Sequence, residues 1–340
     1  MTALSLPKRS RGRPGAAQNA RFDLDLAAWC AGILEINSTL DFRVSSRGWC
    51  YILEEKGGVL KGDFDVAQKR INACRKSGLL PLDICCDDDG RAADGLEYLD
   101  VADVEKMATH LFGYVAGAHR SYDPISFWET QPKYIEMATE KIDLKSLFSR
   151  ECRPYHLPIS NISGWNDINS RAAMMRRFAY WEAKGKPCVL LYCGDHDPGG
   201  LQISGFLRSN FDDLTGAVGW SPEHLIIERF GLDYDFIVAQ GLTWIENLET
   251  GSGKYPLNDA GHPDHFKPYV QSYMRQFGAR KCEANALVTR PVAGRELCRR
   301  AILRHIDTDA IGEHERQLAD AREELRLEIR RQLDEGALSL

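Results

Sequence analysis

Two aspartates separated by one residue, Asp195 and Asp197, are the side chains best suited to chemistry. They closely follow a short apolar run, Cys188 to Cys193, whose length and flanking turn residues predict a buried strand. Because side chains alternate along a strand, both carboxylates can face one point while His196 faces the other side. Such a close pair repels itself, and Mg²⁺ bound with water and phosphate oxygens relieves the repulsion. The alternative is an acidic loop that caps the helix predicted from Leu201 to Leu207, after a Pro-Gly-Gly turn.

A third acidic side chain, Glu140, comes just after another predicted strand, Lys133 to Ala138. From there onward apolar runs alternate with helical periodicity, which is typical of an α/β unit with a small parallel sheet. Ligands of such sheets bind at the carboxyl ends of the strands, so we expect Glu140, Asp195 and Asp197 to converge on one Mg²⁺. Alternatively, Glu140 is an acid near the start of the next helix, where the helix dipole favours it. Further strands are predicted at 155–159 and 225–230, and helices at 144–152 and 166–183.

The composition is that of a globular chain long enough for about two domains. Of its 340 residues, 44% are hydrophobic and 27% are charged, and the formal net charge is −6. This charge argues against a uniformly basic nucleic-acid binder but allows local basic patches. The sequence has no apolar run of the roughly 18 residues that a membrane span needs, and no apolar signal region. We therefore expect a cytoplasmic, nucleoid-associated protein without a membrane partner.

The ten cysteines are scattered along the chain without the spacing of a zinc finger. Most of them lie in apolar runs, where a free cysteine behaves as a small hydrophobic side chain. We therefore expect reduced and buried thiols rather than disulfides or metal ligands.

The segment 21–120 has the pattern of a helical DNA-binding domain. Apolar spacing predicts helices over 24–36, 63–75 and 101–120, with Ser45 or Ser46 capping another. A strand at 79–86 and a turn at 87–90 follow the second of these helices. Helix, basic helix, strand and turn together indicate a winged helix, a relative of the helix-turn-helix. The expected DNA contacts on its basic helix are Lys69, Arg70 and Arg75.

Basic residues also lie near both ends of the chain. Residues 1–20 predict a disordered basic tail, in which the stretch from Arg11 through Arg13 to Pro14 resembles the core of an AT-hook. The alternative is a plain solvated tail. Arg299 and Arg300 are either a DNA-backbone patch or a solvated helix face. The predicted divisions are a tail at 1–20, a winged helix at 21–120, a linker at 121–132, a metal-binding domain at 133–307 and a charged helix at 308–340.

Several motifs together resemble the Toprim metal-binding fold, in particular that of the A subunits of type IIB topoisomerases and their meiotic relative. Tyr134 to Lys141 is similar to the family's strand ending in Glu-Lys, and Asp195 to Gly200 to its Asp-x-Asp-Pro-x-Gly motif. Ser46 to Tyr51 resembles the winged-helix segment that carries an arginine and, four positions on, a nucleophilic tyrosine. Gly78 to Pro81 resembles the entry to the wing, and Glu283 to Leu287 a late Glu-x-Asp-Ala-Leu signature. The motifs follow the family order from about residue 40 to 305.

This resemblance implies Mg²⁺-dependent cleavage of double-stranded DNA by transesterification. Tyr51 would attack a phosphodiester and become linked to the 5′-phosphate, while Arg47, one helical turn earlier, would hold that phosphate. Mg²⁺ on the acidic residues would neutralise the developing charge. The resemblance also implies a homodimer, because tyrosine and metal meet across two protomers in that family, and a possible separate ATPase partner. A nucleophilic Tyr51 must be at least partly exposed.

Two positions depart from the family pattern and two other functions stay open. Asn285 stands where an aspartate is usual, and Cys50 where a second tyrosine often precedes the nucleophile. In the second hypothesis the chain is a metal-dependent nuclease that uses water, similar to the nuclease subunit of Wadjet anti-plasmid systems. In the third it is a DNA-binding module without catalysis, in which Tyr51 is a core side chain and Arg47 a surface charge.

Overall fold

The computed structural model describes residues 4–9, 15–86, 103–162, 168–249 and 255–335. Within these ranges the protein is α/β, with a small four-stranded parallel sheet. The strands are β1 (Tyr134–Thr139), β2 (Ile159–Asn161), β3 (Cys188–Cys193) and β4 (Ile226–Gly231). The helices are α1 (Ala16–Ser38), α2 (Ser46–Glu55), α3 (Phe64–Lys76), α4 (Val104–Gly117), α5 (Phe127–Thr130), α6 (Ile142–Cys152), α7 (Ile168–Ala183), α8 (Pro198–Leu201), α9 (Ile203–Asp212), α10 (Thr215–Val218), α11 (Tyr234–Gln240), α12 (Pro268–Phe277), α13 (Pro291–Leu303) and α14 (Thr308–Asp334).

The chain divides into two compact units, each made of two separate segments. The first unit comprises residues 1–87 and 135–304, and the second comprises residues 88–134 and 305–340. The first unit therefore holds α1 to α3 together with most of the sheet. The second unit holds α4, α5, the predicted linker and the charged helix α14.

The sheet has the strand order β2-β1-β3-β4. Strands β1 and β3 are buried along their whole length, as expected of a parallel sheet covered on both faces, and the buried Glu136 of β1 pairs with Arg177. Along the chain, β1 is followed by β2, which lies next to it on one flank of the sheet, whereas β3 is followed by β4 on the other flank. The boundary between β1 and β3 is therefore a topological switch point, where α/β proteins place their ligands.

Most of the predicted elements around the sheet are confirmed with shifts of a few residues. The strand predicted over 188–193 is observed with those bounds, and those predicted over 133–138 and 225–230 each begin one residue later. Ser45 is the helix cap, since its hydroxyl accepts a hydrogen bond from the Gly48 N–H at 3.0 Å. The Pro-Gly-Gly segment does not form a separate turn, because it is the start of α8.

The strand predicted over 79–86 is wrong. Residues 82–84 form a single 3₁₀ turn, and Cys85 makes only an isolated bridge to Val44. Pro81 has no N–H to donate to a strand ladder, and the Arg75 guanidinium binds the carbonyl of Leu82 at 2.6 and 3.0 Å. The predicted turn at 87–90 lies outside the described residues.

Part of the predicted tail, residues 4–9 and 15–20, lies within the described residues. Residues 16–20 form the first turns of α1, and the side chain of Leu6 is buried. The Leu6 N–H donates to the Gly58 carbonyl at 3.1 Å, which fixes this segment next to the end of α2. Residues 10–14, which include Arg11 and Arg13, lie outside the described ranges.

The second unit is held together by α14. Its His314 is buried and packs edge-on against Phe127 of α5, with ring centroids 5.4 Å apart. Gln131 and Asp307 exchange two hydrogen bonds, of 2.9 and 3.2 Å, at the start of α14. These contacts join residues that lie more than 170 positions apart in the chain.

All ten cysteines are free; nine are buried, as the apolar context predicts, and Cys86 is half-buried. Burial raises the pKa of Cys50, Cys86, Cys188 and Cys282 to about 12, so these thiols are protonated. None of the described helices is long and apolar enough to cross a membrane.

Candidate functional site

The switch point of the sheet brings Glu140 and Asp195 together. Glu140 follows β1 and Asp195 follows β3, and the Asp195 N–H donates to Glu140 Oε2 at 3.0 Å. The Glu140 N–H in turn donates to the carbonyl of Cys193 at 3.0 Å. Gly194 makes this approach possible, because a Cβ there would lie 2.2 Å from the Tyr192 hydroxyl oxygen and 2.7 Å from Glu140 Oε2. These contacts place Glu140 and Asp195 side by side at one edge of the sheet.

The ammonium group of Lys141 lies between the two carboxylates. Its Nζ is 2.5 Å from Glu140 Oε1 and 2.9 Å from Asp195 Oδ2. Although burial alone would lower the pKa of Lys141, the two carboxylates raise it above the ordinary lysine value. The lysine is therefore fully charged and neutralises part of the repulsion between the acids.

The two acids differ in how their proton affinity is set. Burial raises the pKa of Asp195 to about 7, and the neighbouring Glu140 charge adds to this effect. For Glu140, burial is outweighed by Lys141 and by the Asp195 N–H, which lower its pKa. Asp195 is only 8% exposed, and its second oxygen, Oδ1, accepts the Ala284 N–H at 2.7 Å.

Asp197 has a different local role. Its Oδ1 accepts the Gly200 N–H at 2.6 Å, so Asp197 is the N-cap of α8. This is the capping alternative weighed for the acidic loop. Asp197 nevertheless shares with Glu140 the wall of a cavity of about 410 Å³, whose other side is formed by Ile203, Phe206 and Leu207.

The residues at the sheet edge fit a hard cation in their chemistry. Glu140 and Asp195 supply the carboxylate oxygens that Mg²⁺ prefers, and Lys141 already places one positive charge between them. Mg²⁺ is commonly held by one or two carboxylates together with water and substrate phosphate. Among the described residues, no group of three or more His, Cys, Asp or Glu side chains is arranged to hold a metal ion. A convergent triad that includes Asp197 stays a prediction.

A second polar cluster is centred on Glu283, which is 8% exposed. Arg47 donates to both of its oxygens, with Nε 3.0 Å from Oε2 and Nη2 2.9 Å from Oε1. The Tyr51 hydroxyl donates to Glu283 Oε2 at 2.6 Å. Arg47 and Tyr51 lie one turn apart on α2, so they reach the same carboxylate. Burial opposes ionisation of Glu283, but these two donors lower its pKa.

Tyr51 lacks the exposure that we expect of a nucleophile. Its side chain is 1% exposed and packs edge-on against Phe64, with ring centroids 5.0 Å apart. Burial and the neighbouring Glu283 raise the pKa of Tyr51 above its ordinary value, so the phenol is protonated. The structure therefore describes Tyr51 as a buried hydrogen-bond donor to Glu283.

The loop at 282–284 links the two clusters within one chain. The backbones of His196 and Cys282 exchange hydrogen bonds of 2.8 and 3.0 Å, which sets Glu283 and Ala284 beside Asp195. His196 faces away from the carboxylates, and its Nδ1 is hydrogen-bonded to the Leu232 carbonyl at 2.8 Å. Burial lowers the pKa of His196, so the ring is neutral.

The predicted DNA-contacting side chains differ in their availability. Lys69 is exposed on α3, whereas the Arg70 guanidinium lies 4.9 Å above the Phe22 ring. Arg75 is engaged with the carbonyl of Leu82. Arg299 and Arg300 both pair with Glu296 on the exposed surface of α13. Arg11 and Arg13 lie outside the described residues.

Three side chains of the site had no assigned role in the sequence. Glu283 is noticeable only as the first residue of the late signature, and its contact with Arg47 spans 236 positions. Lys61, described below, carries no motif. Tyr192 is the strand residue whose hydroxyl donates to Glu140 Oε2 at 3.2 Å, and its apolar context predicts only a core position.

Comparisons of the chain with protein-family models, with curated proteins and with solved structures found no match.

Proposed function

We propose that the protein hydrolyses phosphodiester bonds in DNA with water as the nucleophile, at a Mg²⁺-dependent site on Glu140 and Asp195. The observation that carries this proposal is the pair of carboxylates, Glu140 and Asp195, at the switch point of a parallel sheet, both in contact with the Lys141 ammonium. Two acids brought this close need a positive charge between them. A hard divalent cation and a phosphate are the ligands that suit such a site.

The chain's own residues would divide the work as follows. Glu140 and Asp195 would hold the metal, which when bound supplies neutralisation of negative charge on the phosphate. Lys141 lies beside both carboxylates and would donate to a phosphate oxygen once its ammonium is released from them. Arg47 binds Glu283 through Nε and Nη2, and its side chain is 39% exposed. Its other terminal nitrogen, Nη1, would position the DNA strand that contains the bound phosphate.

Water is the better nucleophile because Tyr51 is buried and already donates its proton to Glu283. Attack by Tyr51 would require breaking that 2.6 Å hydrogen bond and exposing the ring. Within a single chain, α2 is connected to the acidic sheet edge: Arg47 of α2 binds Glu283, and the next residue, Ala284, donates its N–H to Asp195. Hydrolysis therefore needs no tyrosine from a second protomer, and the homodimer and ATPase partner stay predictions of the resemblance.

DNA is proposed as the substrate on two grounds. The segment containing α2 and α3 pairs a capped helix with a helix that carries the exposed Lys69, in keeping with the helical part of a helix-turn-helix, although the described residues 79–86 do not form the predicted strand of the wing. The motif order along the chain is that of a family of DNA-cleaving proteins. The finer assignment of a winged helix and a Toprim domain is part of this proposal.

Supercoiled plasmid incubated with the protein and Mg²⁺ tests the proposal. We expect nicked or linear product from the wild type and from Tyr51→Phe, and none from Glu140→Gln or Asp195→Asn. Glu105→Gln, an exposed acid on α4, is the matched control and should cleave like the wild type. Protein covalently attached to DNA ends, lost in Tyr51→Phe, would instead establish the transesterase. DNA binding without any cleavage would favour the non-catalytic module.

A further inference from the structure

Lys61 is a buried charge without a hydrogen-bond partner. Its Nζ is shielded from solvent, yet no protein group accepts a hydrogen bond from it. The ammonium lies 4.0 Å from the centroid of the Tyr51 ring and 5.2 Å from that of Phe64. Cation–π contacts compensate only part of the cost of removing an ammonium from water. A buried donor in this state calls for an anion or another acceptor that completes it.

The space in front of Lys61 is large enough for a ligand. A cavity of about 520 Å³ is lined by Lys61, Arg47 and Lys281, with Phe64 and Ile245 as its apolar walls. This volume falls within the range of small-molecule sites, roughly 300–1,000 Å³. Three cationic side chains therefore surround one open space beside the Glu283 cluster.

The cavity is also lined by three acids, Asp65, Glu249 and Glu283, but none of them accepts a hydrogen bond from Lys61 Nζ. Glu283 and Arg47 neutralise each other through their two-pronged contact, and Asp65 lies on the exposed side of α3. Glu249 uses its backbone carbonyl, not its carboxylate, to accept from Lys281 Nζ at 2.9 Å. Burial lowers the pKa of Lys61 although the neighbouring Glu54 and Glu283 charges oppose the shift, and an entering anion would oppose it further.

We propose that this cavity binds a phosphoryl group of the substrate strand, with Lys61 as its buried donor and Arg47 and Lys281 at its rim. The inference deepens the proposed function, on which its choice of a nucleic-acid strand rests. The phosphoryl group is either a terminal phosphomonoester or an internal phosphodiester one or more nucleotides from the cleaved bond. Phe64 offers an aromatic face beside it, against which a base or sugar can pack.

The test measures binding by the full chain without Mg²⁺, using inorganic phosphate and two single-stranded 12-nucleotide DNAs, one 5′-phosphorylated and one not. Lys61→Met keeps the length and apolar stem of the side chain and removes the charge. We expect this variant to bind inorganic phosphate, and whichever of the two oligonucleotides the wild type binds, about ten- to a hundredfold more weakly than the wild type does. Lys76→Met, an exposed lysine on α3, is the control and should bind like the wild type.

The two oligonucleotides separate the sources of the phosphoryl group. A preference for the phosphorylated strand that disappears in Lys61→Met indicates a terminal phosphate, and equal binding of both strands with equal loss indicates an internal one. Thermal unfolding in phosphate-free buffer gives a second measure. The melting temperature of Lys61→Met should equal or exceed that of the wild type, because a buried ammonium without a hydrogen-bond acceptor has been removed.

Unchanged affinity for all three probes in Lys61→Met would overturn the inference. A lowered melting temperature together with unchanged affinity would identify Lys61 as a structural cation–π contact. The outcomes also separate this inference from the proposed function. If the wild type binds phosphate through Lys61 but does not cleave DNA, the phosphate site is supported and the proposed hydrolysis is not. If the wild type cleaves DNA and Lys61→Met binds phosphate as the wild type does, the hydrolysis is supported and the phosphate site is not.

Discussion

Lys141 has at this sheet edge the position that a metal ion takes between two acids. Its ammonium contacts one oxygen of Glu140 and one of Asp195, and its side chain is 24% exposed. A lysine in this position keeps the free protein stable without a divalent cation. The same ammonium has to leave, at least partly, before a cation can bind both carboxylates.

Replacement of Lys141 tests this exchange. Lys141→Met leaves the buried Asp195 and the half-buried Glu140 without their shared cation, which costs about 3–5 kcal/mol of unfolding free energy at pH 8. Mg²⁺ should restore more stability to this variant than to the wild type, because the competing ammonium is gone. Urea denaturation with and without Mg²⁺ measures both effects, with Lys145→Met, one turn further on in α6, as the control. Equal Mg²⁺ effects on variant and wild type would contradict a cation site here.

Asp143 provides a prediction on pH dependence. Its carboxyl is fully buried at the start of α6, where it accepts hydrogen bonds from the backbone N–H and, at 2.5 Å, from the hydroxyl of Ser45. Burial raises the pKa of Asp143 above its ordinary value of 3.8, although the Ser45 hydrogen bonds oppose the shift. Between the unfolded and folded pKa values the folded state binds more protons, so stability falls as pH rises through that window.

Asp143→Asn removes this titration while keeping the shape of the side chain. The stability of the variant relative to the wild type should therefore increase as pH rises from below 3.8 to neutrality. Unfolding free energies measured across this range in one buffer series give the difference directly. A difference that stays constant with pH would mean that Asp143 titrates alike in the folded and unfolded chain.

At the scale of elements, the turn from β3 into α8 depends on one glycine. A Cβ at Gly200 would lie 2.1 Å from the backbone oxygen of Asp195, whereas at Gly199 it would lie 3.5 Å from Asp197 Oδ1. Gly200→Ala should thus lower the unfolding free energy by about 1–3 kcal/mol or more, the cost of overpacking. Gly199→Ala makes only ordinary contacts, and its unfolding midpoint in urea should stay close to that of the wild type. Similar midpoints for both variants would show that the turn tolerates the added methyl group.

The sequence predicts those elements whose signal is local. Strand β3 appears as a continuous apolar run, and β1 as a mostly apolar run that Glu136 interrupts, because both faces of each strand are buried; Glu140 and Asp195 follow from where these runs end. The failed strand at 79–86 is an apolar run as well, but Pro81 and the Arg75 contact hold it as a turn. Periodicity alone does not distinguish these two cases.

The rest of the site could not be predicted, because it depends on contacts between distant parts of the chain. The position of Glu283 beside Asp195 is set by the bridge between His196 and Cys282, which no local pattern encodes. The burial of Tyr51 likewise depends on Phe64 and Glu283. Sequence spacing places Tyr51 and Arg47 on one helix face, but it does not say whether that face meets solvent or protein.

At the scale of the molecule, the second unit depends on its C-terminal segment. Phe127 and Trp128 are buried, and α14 contributes His314 and Leu318 to the same unit. A chain ending at residue 304 should therefore lose the fold of this unit while the sheet of the first unit persists. Hydrogen exchange should show amides of 104–130 losing protection and those of β1 and β3 keeping it. A chain ending at residue 335 is the control, and equal protection in both truncated chains would contradict the assignment of α14.

Because nine of the ten thiols are buried, their reactivity can be used to measure how often the structure around each of them opens. Protonated, enclosed thiols react with an alkylating reagent only when the surrounding structure opens, so labelling rates measure opening equilibria at each position. Cys86, the half-buried one, should be modified first. Cys193 at the end of β3 and Cys282 beside Glu283 should be modified together and last, at the rate of global unfolding. Mass spectrometry of pulse-labelled protein would then give the stability of the sheet edge itself, without any introduced probe.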